Sequence, residues 1–351
     1  MTGDSSGTVP SAAEAVAGLG VRTAVIANPS KVARPDVVRA LVTETLTKHG
    51  WPAPLWLETT RQDPGGGQTR SAVDAGAEVV IAAGGDGTVR ACAEQLLGTD
   101  TALAILPFGT GNLLAGNLNV PLRTRDAVAV VTCGRRRRLD VGVLGNRTFI
   151  VMAGIGLDAL MLRDAPESLK RRIGWPAYLW AAARHLCEPP MTLTLRLDTG
   201  APVTRRARML LIGNVGRLQG GIRILPDARP DDGLLDIAVL MPPKRISWIP
   251  LGWALLRRKP TPPLMELFHA NRLDISSTRQ HPCEVDGDLL PPAQALTTTV
   301  LPAPLWCCAP EGCVASTHPT SRSPYGTLRS CSGRWADNPL PVKPNGPADP
   351  R

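Results

Sequence analysis

The sequence of 351 residues has no long apolar run, few histidines and few aromatic side chains. No segment approaches the ~20 apolar residues that a membrane-spanning helix requires. The first 20 residues also lack the basic start and continuous apolar core of a secretory signal. We therefore expect a cytoplasmic protein that reaches a membrane only at its surface. The five histidines form no recognisable catalytic triad or metal pair, which argues against a hydrolase.

Signatures of nucleic-acid-binding modules are also missing. The chain has no zinc-ligand pairs, no aromatic RNA-binding motif and no basic heptads. The net charge is nevertheless +9, which favours anionic partners. Phosphate groups and anionic membrane surfaces are therefore preferred over nucleic acid. The eight cysteines show no metal-ligand spacing, and no function is assigned to them.

The segment from residue 20 to residue 138 alternates short apolar strands with helices. This alternation predicts an α/β fold with a doubly wound, Rossmann-like parallel sheet. Strands are predicted at Arg22–Asn28, Pro54–Leu57, Glu78–Ala83 and Ala102–Leu106, and helices at Pro35–His49, Thr69–Gly76 and from residues 84–88 to Leu97.

From residue 139 the pattern changes to strands, which predicts an antiparallel β-rich domain over residues 139–306. Its strands are predicted at Leu139–Leu144, Thr148–Ala153, Met191–Leu197, Arg205–Gly213, Leu235–Met241 and Arg272–Ser276, with helices at Pro176–Cys187 and after Ser247. Residues 1–19 are small and polar, and residues 307–351 are rich in Pro and Ser. We predict that both segments are disordered.

A glycine-rich turn, Gly84-Gly85-Asp86-Gly87-Thr88, follows a buried strand and opens a helix. Glycine lets the backbone approach a ligand closely, and the free N–H groups of a helix N-terminus suit phosphate. A carboxylate beside phosphate is repulsive unless it holds a metal ion or takes a proton. Asp86 therefore indicates Mg²⁺ chemistry or base catalysis. The alternative is a tight turn that simply uses glycine.

A second turn of this kind, Gly109-Thr110-Gly111-Asn112, follows the next strand and also opens a helix. The carboxyl ends of neighbouring parallel strands lie at one edge of a sheet, so the two turns are expected side by side. Neither turn is a Walker A loop or a GxGxxG fingerprint. The pair predicts a phosphate site more strongly than either turn alone.

With these turns, four further motifs resemble the diacylglycerol-kinase catalytic family, which includes bacterial diacylglycerol kinases, sphingosine kinases and ceramide kinases. The sequence also has Asn-Pro after its first strand, as the family does. The motifs are Asp140-Val141-Gly142, Gly154-Ile155-Gly156-Leu157-Asp158-Ala159, residues 226–236 and Val285-Asp286-Gly287-Asp288. The resemblance implies an N-terminal domain similar to NAD kinase and phosphofructokinase, a β-rich C-terminal domain, and ATP in the cleft between them.

The resemblance also implies roles for individual residues. Nucleotide contacts would come from Asn28, Thr59 (or its neighbour Thr60), Gly84, Gly85, Asp86, Gly87, Thr88, Gly109, Thr110, Gly111 and Asn112. Mg²⁺ would be held by Asp232 and by the backbone carbonyls of Arg229 and Leu234, which are oxygen ligands that this ion prefers. The implied reaction is transfer of the γ-phosphoryl group of ATP to a lipid hydroxyl, with diacylglycerol as the first candidate acceptor.

Two positions depart from the family pattern. Asp288 stands where the family has its proposed general base, a Glu, so the carboxylate is kept on a side chain shorter by one methylene. Asp86 is the rival base. Leu113 stands where many bacterial members have an Asp linked to the metal network, and Asp140 is a candidate to serve that network instead.

Docking to an anionic membrane is a further expectation, for which a solvated basic face is the competing interpretation. It depends on the clusters Arg135–Arg138, Lys170–Arg172 and Arg257–Lys259 and on the apolar segment Trp248–Leu256. A sphingoid-base or other lipid kinase, an NAD kinase and a catalytically impaired nucleotide-binding regulator stay open as alternative functions. No motif reports the oligomeric state, and a homodimer stays open.

Overall fold

The computed structural model describes residues 20–164, 188–242, 257 and 264–311. Its N-terminal part contains the strands β1 (Thr23–Ala27), β2 (Leu55–Glu58), β3 (Val79–Gly84) and β4 (Ala102–Pro107). They form a parallel sheet with the strand order β2-β1-β3-β4. The helices are α1 (Pro35–Lys48), α2 (Gly66–Asp74), α3 (Asp86–Leu96), α4 (Leu113–Asn117) and α5 (Thr124–Cys133). The predicted α/β fold is confirmed for this half.

The central strands of this sheet are continuous apolar runs because the fold covers them on both faces. Every residue of β1 and β3 is buried. Such runs are typical of parallel strands enclosed by helices. The strands end together at Ala27, Gly84 and Pro107, and the polar turns follow at that edge. The sheet therefore places the chemistry-bearing turns side by side.

The rest of the described chain is a β-rich unit with one helix and one 3₁₀ turn. Strands β12, β11, β10, β7, β13 and β14 are antiparallel neighbours in that order. The elements are β5 (Arg135–Leu144), β6 (Arg147–Phe149), β7 (Met152–Gly156), α6 (Leu157–Asp164), β8 (Met191–Leu197), β9 (Val203–Ala207), β10 (Met209–Gly213), the 3₁₀ turn Gln219–Gly221, β11 (Leu235–Leu240), β12 (Met265–Ala270), β13 (Arg272–Val285) and β14 (Asp288–Ala309). The predicted antiparallel β-rich domain is confirmed.

Strand β14 connects this unit to the parallel sheet. It pairs with β13 along its first part and with β5 along its second. At its end Cys307 pairs with Leu103 of β4 in the parallel sense. We expected a disordered tail from residue 307, whereas the strand continues to Ala309 because its last apolar residues are buried in the N-terminal core. Residues 312–351 lie outside the described residues.

Several boundaries also differ from the sequence-based expectations. Helices α5 and α6 were not predicted. The strand expected at Thr148–Ala153 is interrupted, because the N–H groups of Ile150 and Val151 donate to the carboxylate of Asp286 instead of to a neighbouring strand. The strand expected to end at Ser276 continues as β13 to Val285. The predicted helices at Pro176–Cys187 and after Ser247 lie outside the described residues, as do residues 1–19.

The first basic cluster proposed for membrane contact, Arg135–Arg138, makes contacts within the protein. It opens strand β5, where Arg137 pairs with Asp231 and the guanidinium of Arg138 lies 4.5 Å from the ring centroid of Trp306. Burial lowers the pKa of Arg136. These charges therefore have partners within the protein, and contact of this cluster with a membrane stays a prediction.

The other predicted membrane elements are Lys170–Arg172, Trp248–Leu256 and Arg257–Lys259. Apart from Arg257, they lie outside the described residues. Among the residues that are described, no helix is both long and apolar enough to cross a bilayer.

Candidate active site

The two glycine turns lie against each other at the edge of the parallel sheet. Gly84 pairs with Pro107 in the register of β3 and β4, and the N–H of Phe108 donates to the Gly84 carbonyl at 2.9 Å. A Cβ atom at Gly109 would lie 2.6 Å from the Cα of Gly85, closer than such atoms approach. Glycine is therefore required at this point for the turns to touch.

Asp86 ties the two turns together. Its Oδ2 accepts the N–H of Asn112 at 2.9 Å, and its Oδ1 accepts the N–H of Leu113 at 2.6 Å. These are the free N–H groups at the start of α4, a position that favours a carboxylate. Asp86 thus caps a helix 26 residues further along the chain.

Asn112 gives the second turn its shape. Its backbone is left-handed, with φ of 46°, a region that Asn tolerates better than most residues. Its side chain accepts the N–H of Gly109 and donates to the Gly109 carbonyl, both at 2.8 Å. The turn is therefore closed by its own side chain.

Gly87 differs from the other glycines of the first turn. It is the exposed second residue of α3, and an added Cβ would have nothing within 4 Å. Its φ is outside the left-handed region. Glycine in a helix costs roughly 0.5–1 kcal/mol relative to alanine. No contact in the described protein explains this glycine, and the surface above it is open.

The remaining predicted nucleotide residues lie at the same edge of the sheet. Asn28 Nδ2 donates to the hydroxyl of the buried Thr88 at 3.3 Å. Thr59 is buried beside the end of β1, where its N–H donates to the Ala27 carbonyl. Thr110 is exposed, and its carbonyl accepts a hydrogen bond from Gln219 of the β-rich unit at 3.1 Å.

Asp63 belongs to this edge too and was not singled out from the sequence. Its carboxylate accepts the N–H groups of Gly65 and Gly67 at the start of α2. Its own N–H donates to the hydroxyl of Thr60. The sequence signal was an Asp shortly before a glycine-rich helix start, which is a common capping position.

Asp140 holds the predicted metal loop rather than facing an open site. It is buried, its Oδ2 accepts the N–H of Gly233, and its Oδ1 accepts the N–H of Ala303, both at 2.7 Å. Its own N–H donates to the carbonyl of Pro230. The loop is therefore anchored to β5 and β14 by one carboxylate.

Asp232 lies in this loop beside two other acids. Its Oδ1 accepts the N–H of Leu234 at 3.0 Å. Partial burial raises its pKa, and the negative charges of Asp140 and Asp231 raise it further. No cluster of three or more His, Cys, Asp or Glu side chains with metal-binding geometry occurs in the described part of the chain.

This donor set fits a magnesium ion. A cation would relieve the repulsion around Asp232, and Mg²⁺ commonly takes one or two carboxylates and completes its shell with other oxygens and water. The predicted carbonyl ligands, Arg229 and Leu234, belong to the same loop.

The turn after β13 carries Asp286 and Asp288, which have different surroundings. Asp286 accepts the N–H groups of Ile150, Val151 and Met152 at 2.7–3.0 Å. Burial raises the pKa of Asp286 to about 6, although these three donors act in the opposite direction. Asp286 is therefore a structural clamp on the β6–β7 connection.

Asp288 is more accessible and faces the nucleotide half of the protein. Its side chain is 48% exposed, and its Oδ2 lies 2.5 Å from Nη2 of Arg90 on α3. It also lines a cavity of about 610 Å³. Arg90 was not predicted from the sequence, where the only signal was a basic residue two positions after Thr88.

The cavity beside Asp288 is bounded mainly by apolar side chains of the β-rich unit. The wall residues are Leu144, Gly145, Asn146, Arg147, Asp288, Leu289, Leu290, Pro291 and Leu296. Leu289 is 45% exposed, so the cavity opens to the surface beside an apolar side chain. The arrangement provides the carboxylate of Asp288, paired with Arg90, and the guanidinium of Arg147 at the border of an apolar recess.

Comparisons with known proteins agree with this division of the chain. Residues 22–144 match the family model of the diacylglycerol kinase catalytic domain, and residues 151–308 match the YegS C-terminal NAD kinase beta sandwich-like domain. A protein of Pseudomonas putida named "Probable lipid kinase YegS-like" is 32% identical over 71% of this chain and 82% of its own length. A protein of the same name from Pseudomonas fluorescens is 32% identical over 64% of this chain and 75% of its own length.

A solved structure has the same fold. It is a diacylglycerol kinase from Bacillus anthracis, 20% identical, with a TM-score of 0.64 over 84% of this chain and 98% of that one. The two matched domains, the ordered motifs and the relatives lead to one conclusion: the chain belongs to the diacylglycerol-kinase-like lipid kinases, which are phosphotransferases with an alcohol group as acceptor.

Proposed function

We propose that the protein transfers the γ-phosphoryl group of ATP to a hydroxyl of a membrane lipid, with diacylglycerol as the first candidate acceptor. Two contacts support the proposal most directly. The carboxylate of Asp86 joins the two glycine turns by hydrogen bonds, and Asp288 forms an ion pair with Arg90 of α3, the helix that begins at the first turn. The helix that begins at the first glycine turn is thus linked by an ion pair to an accessible carboxylate of the β-rich unit.

The phosphates of ATP would lie over Gly87. The start of α3 offers N–H groups and the positive end of a helix dipole, both of which favour phosphate. A side chain at position 87 would occupy this surface, whereas hydrogen leaves the backbone accessible. Asn28 and Thr110 at the same edge are the polar groups proposed to contact the nucleotide.

Mg²⁺ is the proposed cofactor, held by Asp232 and the backbone carbonyls of Arg229 and Leu234. When bound, it would spread the negative charge of the β- and γ-phosphates. Asp140 would act indirectly, because both of its oxygens hold the loop in place. Leu113 provides no carboxylate for the proposed magnesium site.

Asp288 is favoured over Asp86 as the general base. Both oxygens of Asp86 already accept backbone N–H groups, which suits a structural and positioning role. Asp288 is half exposed and lines the apolar cavity, where a lipid hydroxyl would approach. A base must come within about 2.6–3.2 Å of the group that it deprotonates. The accessible carboxylate meets this requirement more readily.

The acceptor would enter the cavity beside Asp288. Its leucine walls suit acyl or alkyl chains, and burial of apolar surface contributes about 25 cal/mol per Å². Diacylglycerol carries a single primary hydroxyl next to its chains, so the reacting group and the apolar group would lie close together. The surface near this opening is the part proposed to meet the membrane.

A lipid panel tests the proposal. Purified protein would be incubated with γ-labelled ATP, Mg²⁺ and vesicles containing diacylglycerol, monoacylglycerol, ceramide or sphingosine, with NAD in a separate reaction. A labelled lipid is the expected product, strongest with diacylglycerol. Labelling of NAD alone would contradict the proposal. ATP binding with no transfer to any acceptor would indicate a regulator.

Two variants separate the candidate bases in the same assay. Asp288→Asn is expected to abolish turnover while ATP binding is kept. Asp86→Asn is expected to weaken ATP binding, because one of its two backbone contacts is lost. The reverse pattern would assign the base to Asp86.

A further inference from the structure

The buried Glu284 and the partly buried Asp158 lie behind the turn that carries Asp288. Glu284, on β13, is 4% exposed, and its carboxyl group hydrogen-bonds the carboxyl group of Asp158 on α6. Two ionised carboxylates repel each other and cannot form this bond, so the pair must hold one proton.

The fold makes room for this pair. Gly154 of β7 is the register partner of Glu284, and a Cβ atom at Gly154 would overlap the carboxylate of Asp158. Gly154 has an ordinary strand conformation, so backbone strain does not explain the glycine. Its hydrogen lets Asp158 reach Glu284 across β7.

The surroundings of Glu284 favour the protonated form of this residue. Burial raises the pKa of Glu284 well above its ordinary value, and the negative charge of Asp158 raises it further. Burial raises the pKa of Asp158 as well, but its hydrogen bond with Glu284 acts in the opposite direction. The other charged group that faces Glu284 is Asp286, and the strand partners Gly154 and Leu289 carry no charge.

Glu284 also touches the turn itself. Its Oε2 accepts the N–H of Gly287 at 2.8 Å. Asp286 and Gly287 have left-handed backbones, with φ of 44° and 86°, and Asp288 follows directly. Asp286 fixes one side of the turn to the β6–β7 connection, and Glu284 fixes the other side to β13 and α6.

We propose that Glu284 is a neutral carboxylic acid that donates a hydrogen bond to Asp158, accepts one from Gly287, and thereby positions Asp288 for phosphoryl transfer. The positioning role depends on the proposed function, whereas the shared proton does not. Glu284 touches no substrate, so it is a positioning residue rather than a catalytic one.

Kinetic measurements on position 284 test the positioning role. Glu284→Gln keeps a donor for Asp158 and an acceptor for Gly287, so its kcat is expected to stay within about three-fold of the native value. Glu284→Ala removes both contacts, and a loss of roughly 10- to 100-fold in kcat is expected from misplacement of Asp288. The KM for ATP stays unchanged in both variants, since the turns that bind ATP lie in the other half. Asp274→Asn, at a partly exposed acid on the same strand, is the control.

The pH dependence of activity distinguishes a role for the protonated form of Glu284 from a purely structural role, which would not alter the profile. If the neutral form of Glu284 holds the turn, activity falls when the residue ionises at high pH. Glu284→Gln cannot ionise and keeps its activity to higher pH. A Gln variant as impaired as the Ala variant would overturn the proposal, because it would require a carboxylate at this position.

Infrared spectroscopy tests whether Glu284 is protonated, and it requires neither an activity assay nor a variant. At pH 8 the native protein is expected to show the carbonyl band of a protonated carboxylic acid in a buried site. Labelling glutamate with ¹³C should shift this band. A shift with ¹³C-aspartate alone, or the absence of the band, would overturn the assignment to Glu284. Failure of lipid phosphorylation would leave this spectrum unchanged, so the two proposals fail separately.

Discussion

Arg90 and Asp288 form an ion pair between the two halves of the described chain, with Nη2 of Arg90 2.5 Å from Oδ2 of Asp288. Arg90 belongs to α3, which begins at the first glycine turn, and Asp288 begins β14 of the β-rich unit. The pair therefore connects the proposed phosphate site with the proposed base. It also holds the Asp288 side chain toward the nucleotide half.

Replacing Arg90 tests this connection. Arg90→Met is expected to lower kcat roughly 10- to 100-fold, because Asp288 loses its orientation. The free energy of unfolding should change by only about 1 kcal/mol, since Asp288 is half exposed and solvent screens the pair. Steady-state kinetics and urea denaturation measure the two effects.

Arg272→Met is the matched control, since Arg272 is exposed and pairs with the partly exposed Asp274 within the β-rich unit. It should leave kcat unchanged. Equal losses of kcat in both variants would remove the argument for a specific role of Arg90.

Two glycine substitutions separate ligand contact from folding. Gly87→Ala should fold normally and be slightly more stable, by about 0.5–1 kcal/mol, because a helical glycine is replaced where there is space. ATP affinity should nevertheless fall at least ten-fold. Gly109→Ala should be destabilised, since its Cβ would meet Gly85. Thermal unfolding and titration calorimetry with ATP provide both measurements, and unchanged ATP affinity in Gly87→Ala would contradict the phosphate position.

The requirement for Mg²⁺ is expected to depend on Asp232. Asp232→Asn should raise the Mg²⁺ concentration needed for half-maximal activity at least ten-fold, because the carboxylate ligand becomes a weaker neutral one. Stability in the absence of metal should not fall, since removing one acid relieves repulsion from Asp140 and Asp231. Asp231→Asn is the control, because Asp231 is paired with Arg137. An identical Mg²⁺ dependence in the two variants would argue against Asp232 as the ligand.

The partly buried Asp286 should make the free energy of unfolding depend on pH. Its folded-state pKa of about 6 exceeds the ordinary value of 3.8, so the folded protein binds this proton more tightly than the unfolded chain. The contribution of protonated Asp286 to the free energy of unfolding is therefore present at low pH and is lost as the pH rises from about 4 to 6. Asp286→Asn should flatten the stability curve in this window, and chemical denaturation between pH 4 and 7 measures it.

The Asp286 prediction has a matched control in Asp198. That carboxylate also accepts two backbone N–H groups, from Asn271 and Arg272, but it is exposed. Asp198→Asn should leave the slope of the curve unchanged. A native stability that rises with pH across the window would mean that the three N–H donors outweigh burial at Asp286.

The sequence alone was sufficient to predict the alternation of strands and helices and the position of the two glycine turns. Parallel strands buried on both faces need continuous apolar runs, and β1 and β3 have them. Local chemistry also identified the turns, because glycine and Asn112 are needed where backbones touch or become left-handed. Most strand positions followed from apolar patterning, but the interruption at Ile150 did not, since its cause is a carboxylate 136 residues away.

Only the tertiary structure decided what the charged side chains do. Asp86 appeared to be a catalytic candidate, yet both of its oxygens cap α4. Arg135–Arg138 had the composition of a membrane patch, but its members are paired within the protein. The Arg90–Asp288 pair joins residues almost 200 positions apart. Hydrophobic periodicity is a local property and can be read directly from the sequence. The partner of a charged side chain depends on which distant segments the fold brings together, so the sequence alone does not reveal it.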